Sequence, residues 1–151
     1  MAGLWQMRGS WRPQLLLVVL SALLLFTNLG QTSLWDIDEP RNAGCAADMF
    51  EQGELIVPTF KGELRSHKPL MLYWLMMSAY QVLGVNEFAA RFWSALLAMG
   101  TVLVTYHLGC RHFGRSIGLW AGVILATSLN FVVIGRAATP DATFLFFTTL
   151  A

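Results

Sequence analysis

The sequence predicts an all-α, polytopic transmembrane protein with interfacial helices in its first outside loop. Three observations carry that reading. Of the 151 residues 56% are apolar and 13% charged, a balance unusual for a soluble domain of this size. Mean hydropathy is +0.55. The apolar residues also gather in long blocks divided by short polar stretches, as spanning helices do. The formal net charge of +1 leaves no electrostatic footprint for nucleic acid.

Residues 1–14 read as a cytoplasmic N-terminus, with Arg8 and Arg12 setting orientation by the positive-inside rule. Residues 15–29 form a first span. The run Phe26-Thr27-Asn28-Leu29-Gly30 after it lacks the small-x-small site of a cleaved signal, so the helix is expected to be retained. An outside loop, 30–87, follows, carrying helices at about 40–52 and 69–85. Residues 88–108 make the second span, 109–116 a cytoplasmic turn, 117–135 the third span and 136–141 an outside turn. The apolar run from 142 to 151 is about half the length of a spanning helix, so the sequence reads as truncated there.

The block 69–85 admits two arrangements, because it is short and carries Tyr73, Trp74, Tyr80 and Gln81, residues that favour headgroups. If it crossed, the basic turn Cys110-Arg111-His112-Phe113-Gly114-Arg115 would lie outside. If it lies at the interface, that turn is inside, as the positive-inside rule prefers.

Under this topology the 30–68 loop and the 136–141 turn share the non-cytoplasmic face, and both carry charge. Pro40 suits a first helical position and Gly53 a helix stop. Asp38 and Glu39 then lie at a helix N-terminus. They could simply complement the helix dipole, but a carboxylate at a membrane interface near a second one, Asp141, also suits a general base or a metal site. Lys68, after His67, could snorkel or contact a phosphate. Arg136 and Asp141, either side of the helix-breaking Pro140, fit a structural ion pair or a functional one. Arg91 reads as an interfacial anchor. Cys45 outside and Cys110 inside cannot pair with each other and read as packing residues.

Four elements in order carry a resemblance: Asp38-Glu39-Pro40-Arg41; Lys68-Pro69 with Tyr73-Trp74; Gly84-Val85-Asn86-Glu87-Phe88-Ala89-Ala90-Arg91; and Arg136-Ala137-Ala138-Thr139-Pro140-Asp141. Together they resemble the GT-C membrane glycosyltransferases, in particular the aminoarabinose transferase and protein O-mannosyltransferase group. The resemblance implies transfer of a sugar from a polyprenyl-phosphate carrier to a lipid or protein acceptor on the outer face, with inversion at the anomeric carbon. It casts Asp38 as the catalytic base and Asp141 as the second acidic residue of the site. Lys68 and Arg136 would face the donor phosphate, with Glu39, Arg41 and Tyr73 as further substrate-binding positions. No cofactor is implied with certainty. Where relatives have an acidic residue before the lysine this chain has His67, which could take part in holding a divalent metal.

Two other readings compete. A transporter or channel would need charges near mid-bilayer, and here they cluster at one interface. A chain that stops within its fourth span could also be an inactive fragment of such an enzyme.

Overall fold

The computed structural model describes residues 11–35 and 37–151. The orientation signal at Arg8, and Asp36, lie outside the described residues. In chain order the elements are α1 (Arg12–Phe26), α2 (Asp38–Gln52), β1 (Thr59–Phe60), β2 (Glu63–Leu64), α3 (Leu70–Leu83), α4 (Glu87–Phe113), α5 (Arg115–Thr127), α6 (Leu129–Arg136) and α7 (Asp141–Leu150).

Local chemistry sets the helix ends. The Asn86 side chain caps α4 by accepting from the Ala89 N–H at 2.9 Å, Glu87 occupies the first turn, and Arg111 and His112 the last, each favourable to the helix dipole. α2 stops at Gly53, whose φ of +67° lets its N–H reach the Met49 and Phe50 carbonyls. Its start lies two residues earlier than Pro40 implied. Proline is accommodated at the third position because that N–H has no partner within the helix.

Two expected elements are redrawn. The helix placed at 15–29 runs Arg12–Phe26 instead, and the chain then turns through Asn28 at φ +56°. The third span is not one helix. Ser128, at φ −65° and ψ 118°, ends α5 and starts α6, and the two axes bend by 63°. Thr127 Oγ1 donates back to the Val123 carbonyl at 2.8 Å, a bond of the kind that bends helices. The small antiparallel hairpin β1–β2 was not expected. It turns at Lys61 and Gly62, both with positive φ, as a two-residue hairpin turn requires.

The 27-residue α4 is long and apolar enough to cross a membrane, and the bent α5–α6 pair passes the same test taken together. α4 is the axis of the fold, packed by α1, α3, α5, α6 and α7. It runs antiparallel to α1. At one end Arg91 donates to the Leu29 carbonyl, and at the other His107 Nε2 lies 3.3 Å from Gln14 Nε2. Both ends of α3 lie at the first of these ends. Its Pro69–Leu72 start borders Asp141, its C-terminus leads directly into the Asn86 cap, and its Tyr80 hydroxyl donates to the Ala43 carbonyl of α2 at 3.2 Å.

The residue that organises this end is Glu39, 1% exposed, against Arg91, 2% exposed. Arg91 Nε and Nη2 donate to the two carboxylate oxygens at 3.0 and 2.7 Å, a bidentate pair. Glu39 also accepts from the backbone N–H groups of Trp35 at 3.0 Å and Ala138 at 2.6 Å. Arg91 spends its other donors on the Leu29, Thr32 and Ser33 carbonyls. Its expected place as an interfacial anchor is therefore corrected: the guanidinium is buried, and its carbonyl partners replace the water that an anchor would use. Four segments meet on this pair.

Two stability outcomes follow from this packing. Glu39→Gln leaves Arg91 charged, buried and without its counter-ion, so unfolding free energy should fall by about 3–5 kcal/mol, read as thermal unfolding in detergent. The double change Glu39→Leu, Arg91→Met should cost clearly less than either single change if the pair is the cause. At the opposite end α4 and α5 touch through glycines. A Cβ on Gly118 would sit 2.6 Å from the Cys110 nitrogen and 2.7 Å from the Tyr106 carbonyl oxygen, with backbone on both sides unable to yield. Gly118→Val should therefore part these helices and lower the yield of folded protein, where Gly118→Ala lowers it less.

Candidate active site

The candidate site lies where α2 and α7 begin and where the loop after the hairpin enters α3. Asp38 occupies the first position of α2 beside Glu39, and 100° per residue around a helix separates their directions. Glu39 points inward to Arg91. The Asp38 side chain remains 45% exposed and receives Lys68 Nζ at 2.8 Å. Arg65 Nη2 stands 4.0 Å from its other oxygen. The hydrogen bond from Lys68 holds the Asp38 carboxyl below the ordinary aspartate value. Partial burial works against that, and the charges of Lys68, Arg65 and Arg41 add to the depression.

Arg65 is 13% exposed, and its Nη2 also donates to Asn42 Oδ1 at 3.2 Å. Asn42, wholly buried, donates in turn from Nδ2 to the Ala138 carbonyl at 3.0 Å. Tyr73 is also wholly buried. Among the described residues its hydroxyl has no partner of full hydrogen-bonding geometry, and burial pushes the phenol up, with the nearby Arg65 acting against that. Cys45 lies in the same cluster, its thiol raised by burial and so poorly suited to act as a nucleophile. It is unpaired, as is Cys110.

Asp141 takes the first position of α7 and is exposed. With Pro69, Met71, Leu72, Pro140, Thr143 and Phe144 it lines a cleft of about 310 Å³. Pro69 follows Lys68 in the chain, so the segment that carries the lysine runs on into the wall of this cleft.

The sequence-derived site residues therefore separate by place. Asp38 and Lys68 touch, with Arg41 exposed on the same turn of α2, while Asp141 lines the cleft whose wall begins at Pro69, the residue after Lys68. Glu39 and Tyr73 are buried, with no face turned to a ligand. Arg136 stands apart, donating to the Leu24 and Thr27 carbonyls at 2.7 and 2.8 Å and so capping the C-terminus of α1. No ion pair joins it to Asp141, because α1 offers it the nearer acceptors. His67 is exposed, and among the described residues no three His, Cys, Asp or Glu side chains gather as a metal would need. Two participants escaped the sequence reading: Arg65 and Asn42. Asn42 lies one turn after Asp38, so its place on that helix face was legible, whereas Arg65 arrives from a loop.

Comparison with known proteins places this geometry. Residues 67–151 match the family described as dolichyl-phosphate-mannose-protein mannosyltransferase. An uncharacterized protein of Aquifex aeolicus is 39% identical over 90% of this chain and 28% of its own length. The undecaprenyl phosphate-alpha-4-amino-4-deoxy-L-arabinose arabinosyl transferase 2 of Sodalis glossinidius is 34% identical over 87% of this chain and 24% of its own. The crystal structure of ArnT from Cupriavidus metallidurans bound to undecaprenyl phosphate superposes with a TM-score of 0.84, at 23% identity, over 93% of this chain and 26% of that one. Its apo structure gives 0.83. The chain thus spans about a quarter of the length of the relatives it matches, and it shares their fold there. With more than half of its sequence inside the matched region, the chain belongs to the dolichyl-phosphate-mannose-protein mannosyltransferase family.

Proposed function

We propose that this chain forms part of a multi-pass membrane glycosyltransferase that moves a sugar from a polyprenyl-phosphate donor to a lipid or protein acceptor on the non-cytoplasmic face, with inversion. The observation that supports it most is the 2.8 Å contact between Asp38 and Lys68, on the segment that leads into the Asp141 cleft. A base and a phosphate-directed cation at one helix end are what such a transfer needs. Sodalis glossinidius and other relatives carry names that specify undecaprenyl-phosphate aminoarabinose, so that donor is the first to offer.

Asp38 accepts the proton of the acceptor nucleophile, whose electron pair forms the new bond to the anomeric carbon. The bond from that carbon to the phosphate oxygen breaks, and the polyprenyl phosphate leaves with its electrons. Lys68 offsets the charge that develops there, an effect strengthened where water is scarce. Asp141 supports the acceptor from across the cleft. Arg136 is assigned to holding α1, and Glu39 and Tyr73 to positioning, since their polar atoms face inward. The interfacial placing of α3 agrees with both its ends meeting the same end of α4.

Asp38→Asn in the intact enzyme should reduce transfer from undecaprenyl-phosphate 4-amino-4-deoxy-L-arabinose at least about a hundredfold while leaving membrane insertion unchanged. Wild-type transfer would remove the assignment. Because the folded-state carboxyl lies below its ordinary 3.8, Asp38 stays ionised through the neutral range, and its loss as a base should begin only as pH falls towards that value. Lys68→Gln should move that acid limb to higher pH.

Topology is tested separately by cysteine labelling at positions 38, 112 and 141 in intact cells on a Cys45→Ser, Cys110→Ser background. Positions 38 and 141 should label from outside and 112 should not. Labelling of 141 only after permeabilisation would put the two carboxylates on opposite faces and defeat the reading.

A further inference from the structure

Asp38 and Lys68 have duties that conflict in the arrangement observed. The 2.8 Å hydrogen bond ties the lysine to the carboxylate, yet a lysine that faces a donor phosphate cannot keep its charge fully on Asp38. Something else must then hold the aspartate. Arg65 is the group placed to do so. It reaches α2 at two positions one turn apart, 3.2 Å from Asn42 Oδ1 and 4.0 Å from Asp38 Oδ1, which is the oxygen that Lys68 does not hydrogen-bond.

Its own position is fixed on several sides. The Arg65 backbone N–H donates to the Pro58 carbonyl at 2.8 Å, so the hairpin carries it. Asn42 is locked in turn to the Ala138 carbonyl. The guanidinium is more buried than the lysine ammonium, 13% against 24% exposed, and its Nε is shut away from water beside the buried Tyr73 hydroxyl. A planar fork held this way stays in place when a flexible lysine moves.

We infer that Arg65 is a positioning residue for Asp38, holding the carboxylate from the hairpin side while Lys68 turns to the donor phosphate. This rests on the reading of Asp38 as the base. The charged groups that face Asp38 are Lys68 and Arg65 from the loop before α3 and Arg41 from α2 itself. Arg41 is exposed and screened, which leaves Arg65 as the retained partner.

The test reads Asp38 without needing turnover. A water-soluble carbodiimide with glycine ethyl ester labels the protonated carboxyl, and peptide mass spectrometry of the intact enzyme in detergent gives the pH at which Asp38 is half labelled. Saturating undecaprenyl phosphate should move that midpoint up in the wild type, as Lys68 leaves. In Arg65→Gln the midpoint with undecaprenyl phosphate should lie at least about half a pH unit above the wild type measured the same way, and Arg65→Lys, which keeps the charge but loses the fork, should restore it only in part. Equal midpoints in Arg65→Gln and wild type would overturn the inference. Should Arg65→Gln fail to fold, Arg65→Lys decides. The charge is kept and the fork is lost, so its transfer from undecaprenyl-phosphate 4-amino-4-deoxy-L-arabinose should fall at least about fivefold in kcat with little change in KM, whereas wild-type kcat would sink the inference. Asp38→Asn separates the two levels: if that variant still transfers, the base assignment fails; if it does not and Arg65 variants behave as wild type, only Arg65 is misassigned.

Discussion

Glu39 and Arg91 form a buried ion pair in which each carboxylate oxygen accepts two N–H groups and the guanidinium spends its remaining donors on three carbonyls of the 29–33 turn. Burying two charges is costly, and such a pair holds only if its geometry satisfies both partners. Here it does. The chain after α1, the start of α2, the second turn of α4 and the link between α6 and α7 are consequently fixed to one another at a single point. Hydrophobic packing could bring these segments together but could not set their register, because apolar contacts lack direction. Asp38, Arg41, Asn42 and Asp141 all leave the chain within three positions of Glu39 or Ala138 at that point.

The electrostatics of the site follow from the same placement. Asp38 and Glu39 are neighbours in sequence with opposite fates, the first outward and half-exposed, the second inward and paired with Arg91, because successive helix residues face different ways. Both Asp38 and Asp141 begin helices, where an acidic side chain complements the dipole. Lys68 and Arg65 come instead from a loop that a two-residue hairpin and its turn hold against α2. The two carboxylates thus sit at helix starts while the cations nearest Asp38 come from a loop, an arrangement in which Lys68 can adjust while the carboxylates stay put.

How much of this could be read beforehand depends on the residue. α4 was legible as the apolar block 88–108, although its helix runs on to Phe113 through residues expected to form the 109–116 turn, with Arg111 and His112 in its last turn. Gly53 announced the end of α2 for the reason that the structure gives, a positive φ. The break at Ser128 was hidden, since a serine inside an apolar run leaves mean hydropathy almost unchanged while removing the helix from its path. Asp38, Lys68 and Asp141 were singled out by charge at predicted boundaries. Arg91, read as an anchor, and Arg136, read as a partner of Asp141 or of a phosphate, were misplaced for one shared reason: only the tertiary structure supplies the backbone carbonyls that take up their donors. Arg65 gave no signal in one dimension, because its partners lie 23 and 27 positions away on another element.

The grip of α2 on Ala138 has a consequence for chemistry. Glu39 Oε1 accepts from the Ala138 N–H and Asn42 Nδ2 donates to the Ala138 carbonyl, so both polar groups of that residue are held by side chains from one face of α2. Three residues later the chain reaches Asp141, with Pro140 restricting the path between. The positions of the two carboxylates are therefore set by short, backbone-anchored connections and not by long side chains. Reactive groups held through rigid elements need less reorganisation during a reaction than groups held by flexible ones. The cleft that Asp141 lines is bounded by Pro69 and Pro140, which have limited freedom themselves, whereas Met71, Leu72 and Phe144 give it an apolar wall. A ligand that brings both an apolar chain and a charged head would find the two kinds of surface side by side.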